Sequence, residues 1–171
     1  RDVEKAKCTF KNKNFQLTKT FSDLKTTKYI FLAIPSQTVR QNLDSLKEIL
    51  TDTKTTFVVC SKGVEKTTNK LMSEIISELF PKNPIAILSG PNFSSELISN
   101  KPSASVLSST SNDILIKISD LLSQKKFRIY FNDDIIGTQL GGAMKNVIAI
   151  ACGLIKGKNI GENARAAIIT R

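Results

Sequence analysis

Histidine is absent from all 171 residues, so imidazole proton relays and Ser-His-Asp triads are excluded within this chain. Lysine is the obvious acid–base group left. Cysteine is scarce: Cys8, Cys60 and Cys152 are widely spaced and, without histidine, make no metal-site pattern. Cys60 and Cys152 fall in apolar segments and read as buried reduced thiols, which fits a cytoplasmic compartment. No apolar run reaches transmembrane length; the nearest, Val147–Ile155, is far too short and is flanked by Lys145 and Lys156. Nor does a secretion signal open the chain, because Arg1–Lys13 alternates charge, lacks an apolar stretch and does not begin with methionine.

What is present suffices for one ordinary globular domain and falls short of two. A hydrophobic share of 40% with nine phenylalanines supplies a core and argues against disorder. Lysine and arginine total 25 against 15 acidic residues, a formal charge of +10, so nucleic acid deserves first hearing as a partner. The distribution argues against it. The excess sits in residues 1–30 and 101–171, residues 31–100 balance, and no dense basic stripe with interleaved aromatics appears. A few lysines are enough to attract a small phosphorylated ligand.

Tyr29–Ile34 is a continuous apolar run stopped by Pro35, the pattern of a strand buried on both faces. Ser36 stands where it would cap a helix to Leu50, with Val39, Leu43, Leu46 and Leu50 at three- and four-residue spacing. Thr56–Cys60 is the next buried strand. A helix is expected from Thr67 or Thr68 through Phe80, then strands over Ile85–Leu88, Ala104–Leu107 and Phe127–Phe131, with Asn112 capping a helix to Leu122. This alternation predicts an α/β fold, a mostly parallel sheet with helices on both faces. After Asp134 the pattern turns helical, over 138–156 and from Asn163 to Thr170. The chain therefore divides into a partial α/β domain, 1–136, and the start of a helical domain, 137–171. Its abrupt start and end read as cuts.

Ligands of such sheets bind beyond the carboxyl ends of the strands, where three loops fall. Pro35-Ser36 reads first as a turn with a helix cap. In Ser61-Lys62-Gly63, Lys62 offers a mobile cation to a phosphate or oxyanion, although a lysine there is usually only solvated. In Leu88–Glu96, Gly90 before Pro91 fixes a loop that presents Asn92 and Ser94, or simply makes a rigid crossover. The most informative segment is Gly137–Asn146. Adjacent Gly141 and Gly142 in an apolar helix each cost about 1 kcal/mol relative to alanine, so they need a reason such as close approach of ligand or backbone. Lys145 can bury its stem on that helix and send its amine into a cleft, or it can be an ordinary surface lysine.

The words FLAIPSQTVR, CSKGVEKTTNKLMSEII, LSGPNFSSEL, FRIYFNDDIIGTQLGGAMKNVIAIACGL and IGENARAAIITR resemble, in order and spacing, those of bacterial NAD(P)-dependent glycerol-3-phosphate dehydrogenases. The resemblance runs from Tyr29 to the end. It implies a Rossmann-like domain that binds NADH or NADPH, leading into an all-α domain that completes the substrate site. It also implies interconversion of dihydroxyacetone phosphate and sn-glycerol 3-phosphate for phospholipid synthesis, and homodimerisation is common in the family. By the same resemblance, Lys145 is the catalytic acid–base. Lys62, Gly90, Asn92, Lys145 and Asn146 bind substrate, and Lys62, Ser94 and Pro35 touch cofactor.

Several positions depart from the family pattern. Asn92 stands where the family has Ser or Thr, Ser94 where it has Ala, and Glu162 where it has Asp. Residues 1–28 contain no GxGxxG, so the pyrophosphate seat of the first βα unit is missing. The family's aspartate and Arg-Asn pair that complete the site are also missing. The chain alone is therefore expected to be inactive. Rival readings are a 3-hydroxyacid or 6-phosphogluconate-type dehydrogenase, which also pairs Lys and Asn on a helix, and an inactive remnant of a dehydrogenase gene.

Overall fold

A computed structural model describes residues 18–50 and 54–171; Cys8 and the charged opening segment lie outside the described residues. In chain order the elements are β1 (Tyr29–Leu32), α1 (Val39–Leu46), β2 (Thr56–Val59), α2 (Met72–Leu79), β3 (Ile85–Ser89) and the short α3 (Ser94–Ile98). β4 (Ser103–Ser108), α4 (Asn112–Leu122), β5 (Phe127–Asn132), α5 (Ile135–Gly157) and α6 (Glu162–Thr170) follow.

The five strands lie side by side in chain order. β1–β2, β2–β3 and β4–β5 pair in parallel, with Leu32 opposite Val59, Val59 opposite Ile87 and Val106 opposite Tyr130. β3 and β4 pair antiparallel, with Leu88 opposite Leu107. The sheet is thus mostly parallel, as the alternation predicts, but β4 and β5 run against the other three. Apolar alternation reports burial and carries no strand direction.

Period-two side-chain direction divides the core between the two faces. Phe57, Val59 and Ile87 join Val39, Leu43, Ile75 and Ile76 of α1 and α2 on one side. Val58, Ala86 and Leu107 join Leu115 and Ile118 of α4 on the other. All four β2 residues are buried, as expected of a central strand. β1 departs from its expectation: Ile30 and Leu32 are buried but Phe31 is 40% exposed, and among the described residues β1 is an edge strand.

Helix boundaries shift where side chains find better partners. Ser36–Thr38 forms a 3-10 turn before α1, without a Ser36 cap. α2 begins at Met72, four or five residues later than expected, because Thr68 hydrogen-bonds the Glu65 carboxylate and Asn69 takes a left-handed φ of 57°. Glu74 then accepts from the Leu71 N–H at 2.6 Å, closing the helix start. Asn112 is the first residue of α4, and Ser111 occupies the cap position instead. α5 begins where Asp134 accepts from the Gly137 N–H at 2.7 Å. A side chain at Gly137 would crowd that carboxylate and displace the cap.

α5 also corrects the expectation that no apolar run reaches membrane length. Its 23 residues continue through both glycines, and by length and composition they would suffice to cross a membrane.

Candidate active site

β1, β2 and β3 point their carboxyl ends to one edge, which brings their three exit loops together. Ser61 ties the first two: its hydroxyl accepts from the Ile34 N–H at 3.2 Å and lies 3.0 and 2.6 Å from the Leu32 and Ile34 carbonyls. Gly63 turns the chain at φ +134°, with Ser36 Oγ 2.6 Å from where its Cβ would be. This turn sends Lys62 across to the third loop, where Nζ donates to the Gly90 carbonyl at 2.9 Å.

That loop is tightly seated. A Cβ on Gly90 would meet the Ala104 carbonyl, Asn92 Nδ2 and Ser105 Oγ, each at 2.8 Å. Asn92 is turned inward: its amide donates to the Ala104 carbonyl at 3.0 Å and to Ser105 Oγ at 2.6 Å, pinning the loop to β4.

α5 crosses above, packing on β3 and β4. Thr138, Gly142 and Lys145 share a helical face at i, i+4 and i+7. The Thr138 and Ser108 hydroxyls are 2.6 Å apart. At Gly142 the helix comes so close that a Cβ would stand 2.8 Å from Ser89 Oγ and 3.6 Å from Lys62 Cγ. Gly141 has nothing within 4 Å. One of the two glycines is thus explained by close approach within the protein, and the other opens on space.

Between these walls lies a cleft of about 340 Å³, with Lys62 and Gly90 on one side and Thr138, Gly141, Gly142 and Lys145 on the other. Lys145 Nζ sits 6.0 Å from the centre of the Phe93 ring. Burial lowers the Lys62 pKa from its ordinary value, and the neighbouring Lys145 charge lowers it further, against an opposing effect of Cys60. Burial pushes the Cys60 thiol up to about 11, with Lys62 acting against that shift. The arrangement is two ammonium groups converging on a small, partly desolvated space, which suits an anionic ligand that exchanges a proton.

A cleft of this volume suits a triose phosphate or one ring of a dinucleotide, at the small end of the roughly 300–1,000 Å³ typical of ligand pockets. Among the described residues no glycine-rich turn opens a helix to receive a pyrophosphate. The cleft has room for the reacting end of a dinucleotide.

Of the residues singled out from sequence, Lys62, Gly90 and Lys145 line one cleft. Asn92 supports that lining from behind. Asn146, Ser94 and Pro35 are exposed and do not line it. The carbonyl of Pro35 instead accepts from the Thr38 N–H and hydroxyl, each at 2.9 Å. Sequence reasoning passed over Asn132 and Thr138, which line the cleft, and Gln139, which is buried behind it. The available signal was a glutamine on the same helical stripe as Ile135 and Gly142 of an otherwise apolar segment.

Two family models match the chain: the NAD-dependent glycerol-3-phosphate dehydrogenase N-terminus over residues 9–115 and the corresponding C-terminus over residues 134–171. The chain is 40% identical over 154 residues to glycerol-3-phosphate dehydrogenase [NAD(P)+] of Zymomonas mobilis, covering 90% of this chain and 44% of that protein. The enzyme of the same name from Ehrlichia chaffeensis is 42% identical over 144 residues, covering 83% and 44% respectively. A crystal structure of glycerol-3-phosphate dehydrogenase from Coxiella burnetii superposes with a TM-score of 0.76 at 33% identity, covering 88% of this chain and 46% of that one. The chain thus spans a little under half the length of these relatives.

Proposed function

This chain belongs to the NAD-dependent glycerol-3-phosphate dehydrogenase family, and we propose that it supplies the reacting cleft of an enzyme interconverting dihydroxyacetone phosphate and sn-glycerol 3-phosphate. The observation that carries this reading is the convergence of Lys62 and Lys145, from two distant elements, on one small cleft. In the direction of reduction, the Lys145 ammonium donates its proton to the ketone oxygen and is left as an amine, which solvent reprotonates. In oxidation the amine takes the hydroxyl proton. Lys62, held against the Gly90 carbonyl, orients the substrate and balances its phosphate charge. NADH or NADPH, when bound, supplies the hydride that reduces the carbonyl carbon.

Asn146 follows Lys145 on α5 and is assigned to substrate, as are Gly90 and Asn92 through the loop they shape. Ser94 and Pro35, exposed at neighbouring loop ends, are assigned with Lys62 to the cofactor side. Residues 1–136 form the partial cofactor domain and residues 137–171 open the helical one, a division supported by the gap between the two family matches. The cytoplasm is the proposed compartment, supported by Cys60 and Cys152 remaining free thiols. Homodimerisation belongs to the same reading and is read out by sedimentation.

The test is oxidation of NADH or NADPH driven by dihydroxyacetone phosphate, in this chain and in any longer protein that carries it. Turnover that falls by ~10²- to 10⁴-fold in Lys145→Ala, with the fold intact, is the expected result. A folded full-length protein without turnover rejects the dehydrogenase reading and leaves an inactive remnant or a different substrate.

A further inference from the structure

Lys62 and Lys145 ride on different parts of the molecule, so something must fix their separation. Lys62 belongs to the connection between β2 and α2, and Lys145 to α5. Only Gln139 and Ile155 of the 23 residues of α5 are buried, and Gln139 is 6% exposed. Its carboxamide is fully engaged. Oε1 accepts from the Ser73 N–H at 3.0 Å, and Nε2 donates to Ser73 Oγ at 2.8 Å and to the Ile135 carbonyl at 3.2 Å. Ser73 is the second residue of α2, whose first N–H groups have no partner within their own helix. A side chain from α5 thus completes the start of α2.

We propose that Gln139 is a positioning residue: by pairing with Ser73 it sets the height and rotation of α5 and so places Lys145 above the Lys62–Gly90 loop. Its bearing on catalysis rests on the function proposed above; its bearing on the geometry does not. The other anchors near Lys145 are of a different kind. Thr138 makes a hydroxyl contact to Ser108, and Gly142 offers only close packing. A helix advances 1.5 Å and turns about 100° per residue, so a slip of one residue would carry Lys145 off the cleft. The two-point pairing of a planar amide with one serine resists both the slide and the turn.

The geometric test reads the Lys62 titration by NMR of the ¹³C-methylated full-length protein, with the Lys62 resonance assigned by Lys62→Arg. In the wild type, Lys145→Met is expected to raise the Lys62 pKa by removing a neighbouring positive charge. In Gln139→Met, which keeps the buried volume but cannot pair, the Lys62 pKa is expected to be raised already, with Lys145→Met adding nothing. Gln139→Glu is expected to keep the response of Lys62 to Lys145→Met, because a carboxylate still accepts from the Ser73 N–H and hydroxyl, although it loses the bond to the Ile135 carbonyl. The kinetic readout is a fall in kcat of ~10- to 100-fold in Gln139→Met, with partial rescue by Gln139→Glu.

Unchanged coupling between the lysines in a folded Gln139→Met protein, with only a lower Tm, would overturn the proposal and leave Gln139 a structural plug. If Gln139→Met does not fold, the same comparison in Gln139→Ala decides. If the wild type shows the coupling but no turnover with dihydroxyacetone phosphate, the functional reading fails while the positioning role stands.

Discussion

Three glycines around the cleft make one prediction with three different outcomes. Gly141→Ala adds a methyl where no atom lies within 4 Å, in the interior of α5. The gain is the difference in helix propensity, about 0.5–1 kcal/mol. Gly90→Ala places a methyl 2.8 Å from three atoms at once, one of them the backbone carbonyl of Ala104. That carbonyl also holds Asn92, so relief requires the loop to lift and the Lys62–Gly90 bond to loosen. Overpacking of this kind costs about 1–3 kcal/mol. Gly142→Ala meets Ser89 Oγ at 2.8 Å, but a serine hydroxyl can rotate away, and the same propensity gain opposes the clash. Its net effect is expected within about 0.5 kcal/mol of zero. In a chain of this size, 1 kcal/mol moves Tm by roughly 2–4 °C. Thermal and urea unfolding should therefore rank Gly141→Ala above the wild type, Gly142→Ala close to it and Gly90→Ala clearly below. Gly141→Ala should also lower turnover if the open space it fills is where substrate lies. A destabilised Gly141→Ala, or a neutral Gly90→Ala, would refute the packing argument.

Two further predictions concern pH. Lys62 has a folded-state pKa below its ordinary 10.5, so its charging penalty is complete at low pH and is relieved as pH rises through the folded pKa toward 10.5. Urea unfolding across that alkaline window should show a rising contribution to stability that Lys62→Met lacks; identical pH slopes would count against the desolvated lysine. Glu78 is held at about 2, chiefly by hydrogen bonds from Arg40 and next from Lys70, so its contribution is complete above its ordinary 4.5 and lost as pH falls toward 2. Arg40→Gln should move acid unfolding, followed by circular dichroism, to higher pH, and an unmoved midpoint would assign the network no role in stability.

What could be read from the sequence was governed by burial. The strands follow apolar runs, and three- and four-residue spacing finds the face of α1, because both patterns report which side meets the core. The start of α2 escaped that reading because Thr68 and Glu65 are held by a network that includes Arg40, whose guanidinium reaches Glu65 at 2.8 Å and Glu78 at 3.0 Å. Those partners lie 25 and 38 residues away, beyond any local signal. At the site, Lys62 and Lys145 stood out by their loop and their glycines. Asn92 is expected to present a polar group at the loop edge; its Nδ2 donates to the Ala104 carbonyl and Ser105 Oγ, because antiparallel β4 places those acceptors under the loop. Strand direction was not legible, and neither was its consequence.

α5 shows why composition alone misranks a functional helix. Ile136, Leu140, Met144, Val147, Ile150 and Leu154 are all exposed, and a helix apolar on most sides calls for protein or lipid around it. Two polar residues argue for protein. Lys145 stands mid-helix, where a bilayer would exact about 2.5–3.5 kcal/mol even on the mildest scale, while here it lines the cleft it shares with Lys62. The two hydrogen bonds of Gln139 to Ser73 exist only when α5 lies against α2. The apolar majority makes α5 a helix that other elements must cover. The polar minority fixes which edge of the sheet it crosses and at what rotation, and the candidate chemistry depends on that rotation.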